Sequence, residues 1–375
     1  MTGVLVTGLV AAVLAVLYAI NSLFALAAAL AMIWIGSRLL PKLALKQVEV
    51  DRVYPTRIFH GETAEVELRV SNRGPLPVPW MALTETVPFD LLPTSFRWAT
   101  SLRSWETRKA AFRLVGTRRG IYRLGPATLV SGDPFGLFPA QSARSETERL
   151  VVYPRIVPLS RLGLPARAPF ADLRTARPLF EDPNRVVGVR PYVSGDSARL
   201  IHWTASAHQG ELLVRRLEHG VGRDTVVLLD LTRRGLGTSR AQVVELAVTA
   251  AASILYHVVT VEGLRAGLRM PGFTIPPGGD QGHLMMMLEV LAGAVAAHDD
   301  FRLTDPARLP FGASVVLVTG VLEDRWLAPL QTMRHRGWKP MAILIGDSSP
   351  PTLPGIPIWQ VSVTSDLTSV LEGES

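Results

Sequence analysis

The 375-residue chain contains no cysteine, which excludes disulfides and thiolate metal centres and leaves sulfur chemistry silent about its compartment. Lysine is scarce: Lys42, Lys46, Lys109 and Lys339 are the only ones. The net charge of +7 therefore rests on arginines, which are scattered rather than striped along one element, and this argues against a nucleic-acid-binding face. No Gly-rich loop precedes a Lys-Ser or Lys-Thr pair, so any nucleotide-driven work has to come from a partner. There is also no HExxH pattern, no serine nucleophile elbow and no cysteine for a Cys–His pair. Charge itself is missing from Met1 to Ser37.

That uncharged segment is almost entirely Leu, Ala, Val, Ile or aromatic between Gly3 and Ile35, the composition of a membrane span. One straight helix over it would be about 50 Å long at ~1.5 Å per residue, against a hydrocarbon core of roughly 30 Å. A helical hairpin over residues 1–37 fits better, with its turn at the polar pair Asn21 and Ser22; a single helix from about Leu14 to Ile35 is the alternative. Arg38, Lys42 and Lys46 follow directly and place the soluble part on the cytoplasmic side of the cell membrane. A cleaved signal peptide is disfavoured, because no basic region precedes the apolar block and the block is too long.

Residues 45–155 read as a β-sandwich of immunoglobulin-like size. Glu65 to Ser71 alternates polar and apolar residues, Asn72 to Pro75 is a turn, and Arg108–Leu114, Ile121–Leu124, Ala127–Ser131 and Arg149–Tyr153 are further short strands. Residues 156–222 form a linker, rich in Pro, Arg and Ala up to Asp182, followed by a polar, aromatic-bearing run from Arg190 to Arg216. In that run Ser194 or Asp196 caps a short helix and Gln209-Gly210 turns into a strand. Tyr192 and Trp203 are expected to pack beside the sheet, with Arg190, Arg199 and Asp196 in a charged lattice around them.

Residues 223–375 alternate apolar strands with helices, the pattern of a doubly wound, mostly parallel sheet in an α/β domain. Strands are expected at Thr225–Asp230, Leu264–Arg269, Ser314–Thr319, Pro340–Ile345 and Ile358–Val361. Helices are expected at Ser239–Thr260, Gln281–Ala297, Asp324–Arg336 and Ser365–Leu371. The first strand ends in Asp230 with a hydroxyl at Thr232. This is how a von Willebrand A-type domain begins a magnesium site at the carboxyl end of a parallel strand. The next hydroxyl position is Arg234, a fixed cation that would repel a divalent ion and occupy its place. Glu323 and Asp324 either supply a second carboxylate or begin the next helix. The residues favour a structural Asp230 bonded to nearby backbone amides over a bound metal. A hydrolase built on Asp196, His202 or His208 lacks an orienting third partner at recognisable spacing.

The run from Arg190 to Arg216 resembles the signature of the bacterial domain-of-unknown-function 58 family: Arg-x-Tyr-x-x-Gly-Asp, then Asp-Trp, Ser-Ala-Arg and Leu-x-Val-Arg. The matching residues are Arg190, Tyr192, Gly195, Asp196, Trp203, Ser206, Ala207, Leu212, Val214 and Arg215. Arg119 to Tyr122, Gly125-Pro126, Asp133 to Phe138 and Val152 to Pro154 are similar to landmarks of the family's β-domain. The resemblance implies a membrane-anchored adaptor with a von Willebrand A-like domain, and, with no catalytic constellation among the residues, neither an enzyme nor a cofactor is expected. Its implied partner is a MoxR-type AAA+ ATPase, together with other membrane proteins of the same operon, in chaperone-like assembly or envelope maintenance. The alternative is a magnesium-dependent protein- or ligand-binding module using Asp230 and Thr232. The chain departs from the family pattern at His202, His208, Arg234 and Thr319-Gly320, where Asp, Arg, Ser and Ser-Asp are usual.

Overall fold

The computed structural model describes residues 6–8, 10, 13, 21–132, 141–162, 181–193, 200–219, 224–232, 236, 240–297, 301, 309–310, 312–346 and 353–361. The chain divides into two compact units, Met1–Pro154 and Arg155–Ser375.

The first unit begins with helical residues at 6–8, 10 and 13 and with the continuous helix α1 (Asn21–Leu45). Gly8 lies against α1: a Cβ built on it would be 3.9 Å from Leu30 Cβ. No charge interrupts α1 before Arg38, and the helix runs on past Ser37, where the apolar segment ends. Its last turns belong to the β-domain, since Ser37, Pro41, Ala44 and Leu45 are buried at the i, i+4, i+7 and i+8 spacing of one helix face.

Ten strands follow: β1 (Val48–Val53), β2 (Arg57–Phe59), β3 (Thr63–Asn72), β4 (Val78–Glu85), β5 (Phe96–Leu102), β6 (Thr107–Val115), β7 (Gly120–Leu124), β8 (Ala127–Ser131), β9 (Gln141–Arg144) and β10 (Glu148–Tyr153). They form sheets of order β1-β3-β6, β5-β4-β8-β9 and β2-β10-β7. Period-two alternation sends Val66, Leu68 and Val70 of β3, Met81 and Leu83 of β4, and Leu114 of β6 into one core, which gives a sandwich-like β-domain. The inward face of β1 carries Val48, Val50 and then an arginine. Arg52 is buried and donates to both Glu85 oxygens (3.0 and 3.3 Å), to Glu148 Oε1 (3.1 Å), to Ser145 Oγ (2.7 Å) and to the Glu146 carbonyl (3.0 Å).

In the second unit, an antiparallel ribbon of β11 (Glu181–Pro191) and β12 (Leu213–His219) carries the short helix α2 (Trp203–Gln209). Six further strands make one sheet: β13 (Asp224–Leu229), β14 (Arg265–Met270), β15 (Phe273–Gly278), β16 (Ser314–Thr319), β17 (Lys339–Ile345) and β18 (Ile358–Val361), in the order β15-β14-β13-β16-β17-β18. All neighbours are parallel except β15, which closes an antiparallel hairpin on β14. Numbered in chain order, the sheet reads 3-2-1-4-5-6 with strand 3 reversed at the edge, and its direction of growth switches between β13 and β16.

The connecting helices are α3 (Arg240–Tyr256), α4 (Gln281–Ala292) and α5 (Asp324–His335). α3 is nearly apolar beyond its first turns because most of it is covered. It packs on β13, β16, β17 and α4, and a 3-10 turn at Leu159–Leu162 lies against it. Ser253 Oγ accepts from Val157 N (3.0 Å) to fasten that covering segment. On α5, Trp326, Leu330 and Met333 pack against Val226, Leu228, Val315, Leu317 and Leu344 of the sheet. Among the described residues, two stretches are long and apolar enough to cross a membrane: Ala25–Leu45 of α1, and α3 together with the π-helical turn His257–Val261; the second is mostly buried in this unit whereas α1 is mostly uncovered.

Three expectations are revised. β15 was not anticipated; its Pro276 and Pro277 cannot donate to a ladder and read as non-strand, which is why it stands at the edge. α4 ends at Gly293 rather than Ala297, and Ala297 instead donates to the Leu231 carbonyl beside β13. The cap of the short signature helix is His202, with Ser194 and Asp196 outside the described residues. The helix expected over 365–371 also lies outside them.

Candidate functional site

Open α/β sheets place ligands at the carboxyl ends of the strands where the winding direction reverses. Here that crevice lies between the ends of β13 and β16. The backbone continues the pairing one residue past β13, with Asp230 N donating to the Val318 carbonyl (2.9 Å), so the Asp230 side chain is delivered to the switch point. Asp230 is fully buried, as is Thr319 across the crevice, and Thr232 is 2% exposed.

Every acceptor direction of the Asp230 carboxylate is used. Oδ1 accepts from Thr232 N (3.0 Å) and Thr232 Oγ1 (2.7 Å). Oδ2 accepts from Arg325 Nη2 (2.8 Å) and Trp326 Nε1 (2.9 Å). Arg325 Nη2 also donates to Thr232 Oγ1 (2.8 Å), so a single guanidinium nitrogen bridges the two oxygens. On its other edge Arg325 Nε lies 2.8 Å from Glu323 Oε2, an ion contact without hydrogen-bond alignment. The Trp326 ring is held by Phe301, centroids 5.6 Å apart, and lies beneath the α5 face of the sheet.

This donor set does not fit a divalent cation. Magnesium takes six oxygens at about 2.1 Å. The bridging position between Asp230 Oδ2 and Thr232 Oγ1 is filled by Nη2, whose positive charge would oppose an ion there. Among the described residues no group of three or more His, Asp or Glu side chains could hold a metal. Arg234, the cation expected here, lies outside the described residues; among those described, the cation paired with Asp230 is Arg325, 95 residues further on. Likewise Asp230 bonds to one backbone amide and otherwise to three side chains, rather than to amides alone. Glu323 is the N-cap residue of α5 and Asp324 its exposed first residue; neither joins Asp230 as a second carboxylate.

The signature run builds a separate local structure. His202 Nδ1 accepts from Ala205 N (3.1 Å) and so caps α2, while Gly210 ends it in the left-handed conformation (φ 71°). Ser206 is buried; its hydroxyl donates to the His202 carbonyl (3.0 Å) and accepts from Leu213 N (2.8 Å), fastening helix to strand. Arg190 Nη1 donates to the Pro191 carbonyl (3.2 Å), and the Arg215 backbone pairs with Val189. Tyr192 and Trp203 are 39% and 67% exposed, contrary to the expected packing beside the sheet, because the ribbon and α2 form their own small layer. Gly195, Asp196 and Arg199 lie outside the described residues, and His208 is exposed in the last turn of α2. The cap gives the family's aspartate before Trp a physical meaning, since Asp is among the best N-cap residues. His202→Ala should lower stability by about 1 kcal/mol and His202→Asp should match or exceed the wild type, as read by hydrogen exchange of the β12 amides.

Residues 188–366 match the family model described as protein of unknown function DUF58. The match supports the resemblance to this family over that segment. No curated protein matches the sequence. Among solved structures, the CARDB domain of a Pyrococcus furiosus protein in complex with di-metal ions is 21% identical. That match covers 28% of this chain and 91% of the CARDB chain, with a TM-score of 0.21. A Listeria innocua beta-glucosidase is 11% identical over 28% of this chain and 16% of its own, with a TM-score of 0.19. Likenesses at these scores carry no argument about function.

Proposed function

We propose that this protein is a membrane-anchored, non-catalytic adaptor. Its second unit is a von Willebrand A-like domain that docks a MoxR-type AAA+ ATPase without a metal ion, on the cytoplasmic side of the cell membrane. The observation that carries the reading is the closed state of the switch point. Asp230 sits where such a domain holds its cation, and its carboxylate is consumed by Thr232, Arg325 and Trp326, so the crevice offers a fixed surface and no reactive group. The strand order with a reversed edge strand supports the domain assignment. The uncovered apolar face of α1, followed by Arg38, Lys42 and Lys46, supports the anchor and its orientation. His202 spends its Nδ1 on a helix cap, which argues against general-base chemistry there.

The test is co-purification of the detergent-solubilised full chain with the AAA+ ATPase encoded beside it, with and without ATP and with chelator present throughout. Retention of the ATPase in chelator is the expected result. No association under either nucleotide condition rejects the partnership, and association that chelator abolishes rejects the metal-free mode.

A further inference from the structure

The end of the first unit where α1 meets the sheets carries a surface that the adaptor reading does not use. Strand register fixes which loops share that end. Val48 pairs with Asn72 and Ser71 with Thr107, so the turn 73–77 and the hairpin loop 103–106 lie beside the exit of α1 at Leu45. Hydrogen bonds weld the two loops to that exit. Arg73 N donates to the Gln47 carbonyl (2.8 Å), Asn72 Nδ2 donates to the Leu76 (2.8 Å) and Arg103 (3.0 Å) carbonyls, and Ser104 Oγ donates to the Pro75 carbonyl.

Trp105 stands on this platform. It is 68% exposed and is the one non-glycine among the described residues with a positive φ, 61°. A bulky side chain adopts that backbone only under constraint, and such strain concentrates at functional positions. The charge around it is basic. Glu49 and Glu106 are engaged by Arg73 and Arg108, whereas Lys42, Lys46 and Arg103 are exposed. Below, α1 presents exposed Leu39, Leu40 and Leu43, and Arg38 lies 5.5 Å over the Trp34 ring. Tryptophan and basic side chains at the end of an apolar helix are the composition of a membrane–water interface. From Arg38 to Leu45 the helix rises about 10 Å, about one Debye length, so charges at the Leu45 level still feel anionic headgroups.

We propose that the Trp105 hairpin, with Arg103, Lys42 and Lys46, docks on the anionic headgroup layer of the bilayer that α1 enters. The inference rests on α1 being a membrane anchor. Lipid fits better than a protein occupant because the surface is continuous with α1 and the basic Lys42, Lys46, Arg73, Arg103 and Arg108 outnumber the acidic Glu49 and Glu106.

The absence of cysteine makes the test direct. The full chain is reconstituted into vesicles of phosphatidylcholine with phosphatidylglycerol, with one spin label at a time at Ser104→Cys, Met32→Cys or Glu62→Cys. Met32 is in the span and Glu62 is at the opposite end of the β-domain. Collision with oxygen, which partitions into lipid, is compared with collision with a water-soluble nickel chelate. Expected are a loss of nickel accessibility at 104 relative to 62, lessened in pure phosphatidylcholine and reversed by Trp105→Ser with Arg103→Gln. A label at 104 as nickel-accessible as that at 62, while 32 is lipid-embedded, overturns the proposal alone. Nickel access at 32 overturns the anchor and the proposal with it. Loss of both oxygen and nickel access at 104 indicates a protein neighbour and also overturns it.

Discussion

Asp230→Ala is expected to destabilise the second unit by about 3–5 kcal/mol, the range for removing one partner of a buried ion pair. The substitution strands three donors at once: the Arg325 guanidinium, the Trp326 indole N–H and the Thr232 hydroxyl. Arg325 is only 16% exposed as a side chain, so water cannot fully replace the lost carboxylate. Asp230→Asn keeps the shape but removes the charge and turns an N–H₂ toward one pair of donors, so its cost should fall in the same range. Trp326→Phe loses a single hydrogen bond, with an expected cost of about 1–3 kcal/mol. Arg325→Ala vacates the bridging position between Asp230 Oδ2 and Thr232 Oγ1 and should let manganese raise stability in that variant only. Hydrogen exchange of the β13 and β16 amides in the detergent-solubilised full chain reads all four variants. An Asp230-dependent manganese stabilisation of the wild type would sink the idea that Arg325 has replaced the ion.

The sheet around this site was legible because parallel strands buried on both faces leave continuous apolar runs. Ser314 to Thr319 coincides with the wholly buried β16 for that reason. Asp230 was legible too, since it follows such a run at the strand's carboxyl end. Its partner was not. Arg325 and Trp326 reach the crevice from the first turn of α5, and only the strand order β13-β16 brings that turn opposite Asp230. Arg234, the charge nearest to Asp230 in sequence, lies outside the described residues, and no sequence spacing points to a partner 95 residues away. α1 shows the same limit from another side. Hydropathy marks where charges begin, at Arg38, but the helix continues through Pro41 to Leu45, because its last turns are packed into the β-domain. The signature residues Ser206 and His202 had no legible role in isolation; their function as staple and cap appears only when the i to i+3 and i+4 geometry of α2 is drawn.

Arg52 is the second place where one substitution should have a large effect, and here the sequence did carry a signal. In Val48 to Val53 it occupies the inward phase of the alternation set by Val48 and Val50. An inward arginine in a strand needs a carboxylate, and Glu85, 1% exposed as a side chain, supplies it with both oxygens. Gly125, with φ 90°, passes so close that a Cβ there would lie 2.7 Å from Arg52 Nη2, so the cluster is fitted as well as charged. Burial pushes the Glu85 carboxyl above the usual carboxylate range, and the Arg52 guanidinium only partly opposes that rise. Arg52→Met removes the opposition and should cost about 3–5 kcal/mol at neutral pH. A carboxyl whose folded pKa is raised binds its proton more tightly in the native state than in the unfolded chain. Its stabilising contribution is complete below the unfolded pKa and is lost as pH rises through the folded one. The variant should therefore be nearest to the wild type in acid and fall progressively behind it above about pH 5. Adding Glu85→Gln removes the buried charge and should flatten that dependence. Denaturation followed through the exchange of β3 and β6 amides at several pH values measures both. A deficit of equal size at all pH values would mean that lost packing of the arginine stem, rather than the stranded carboxylate, sets the cost.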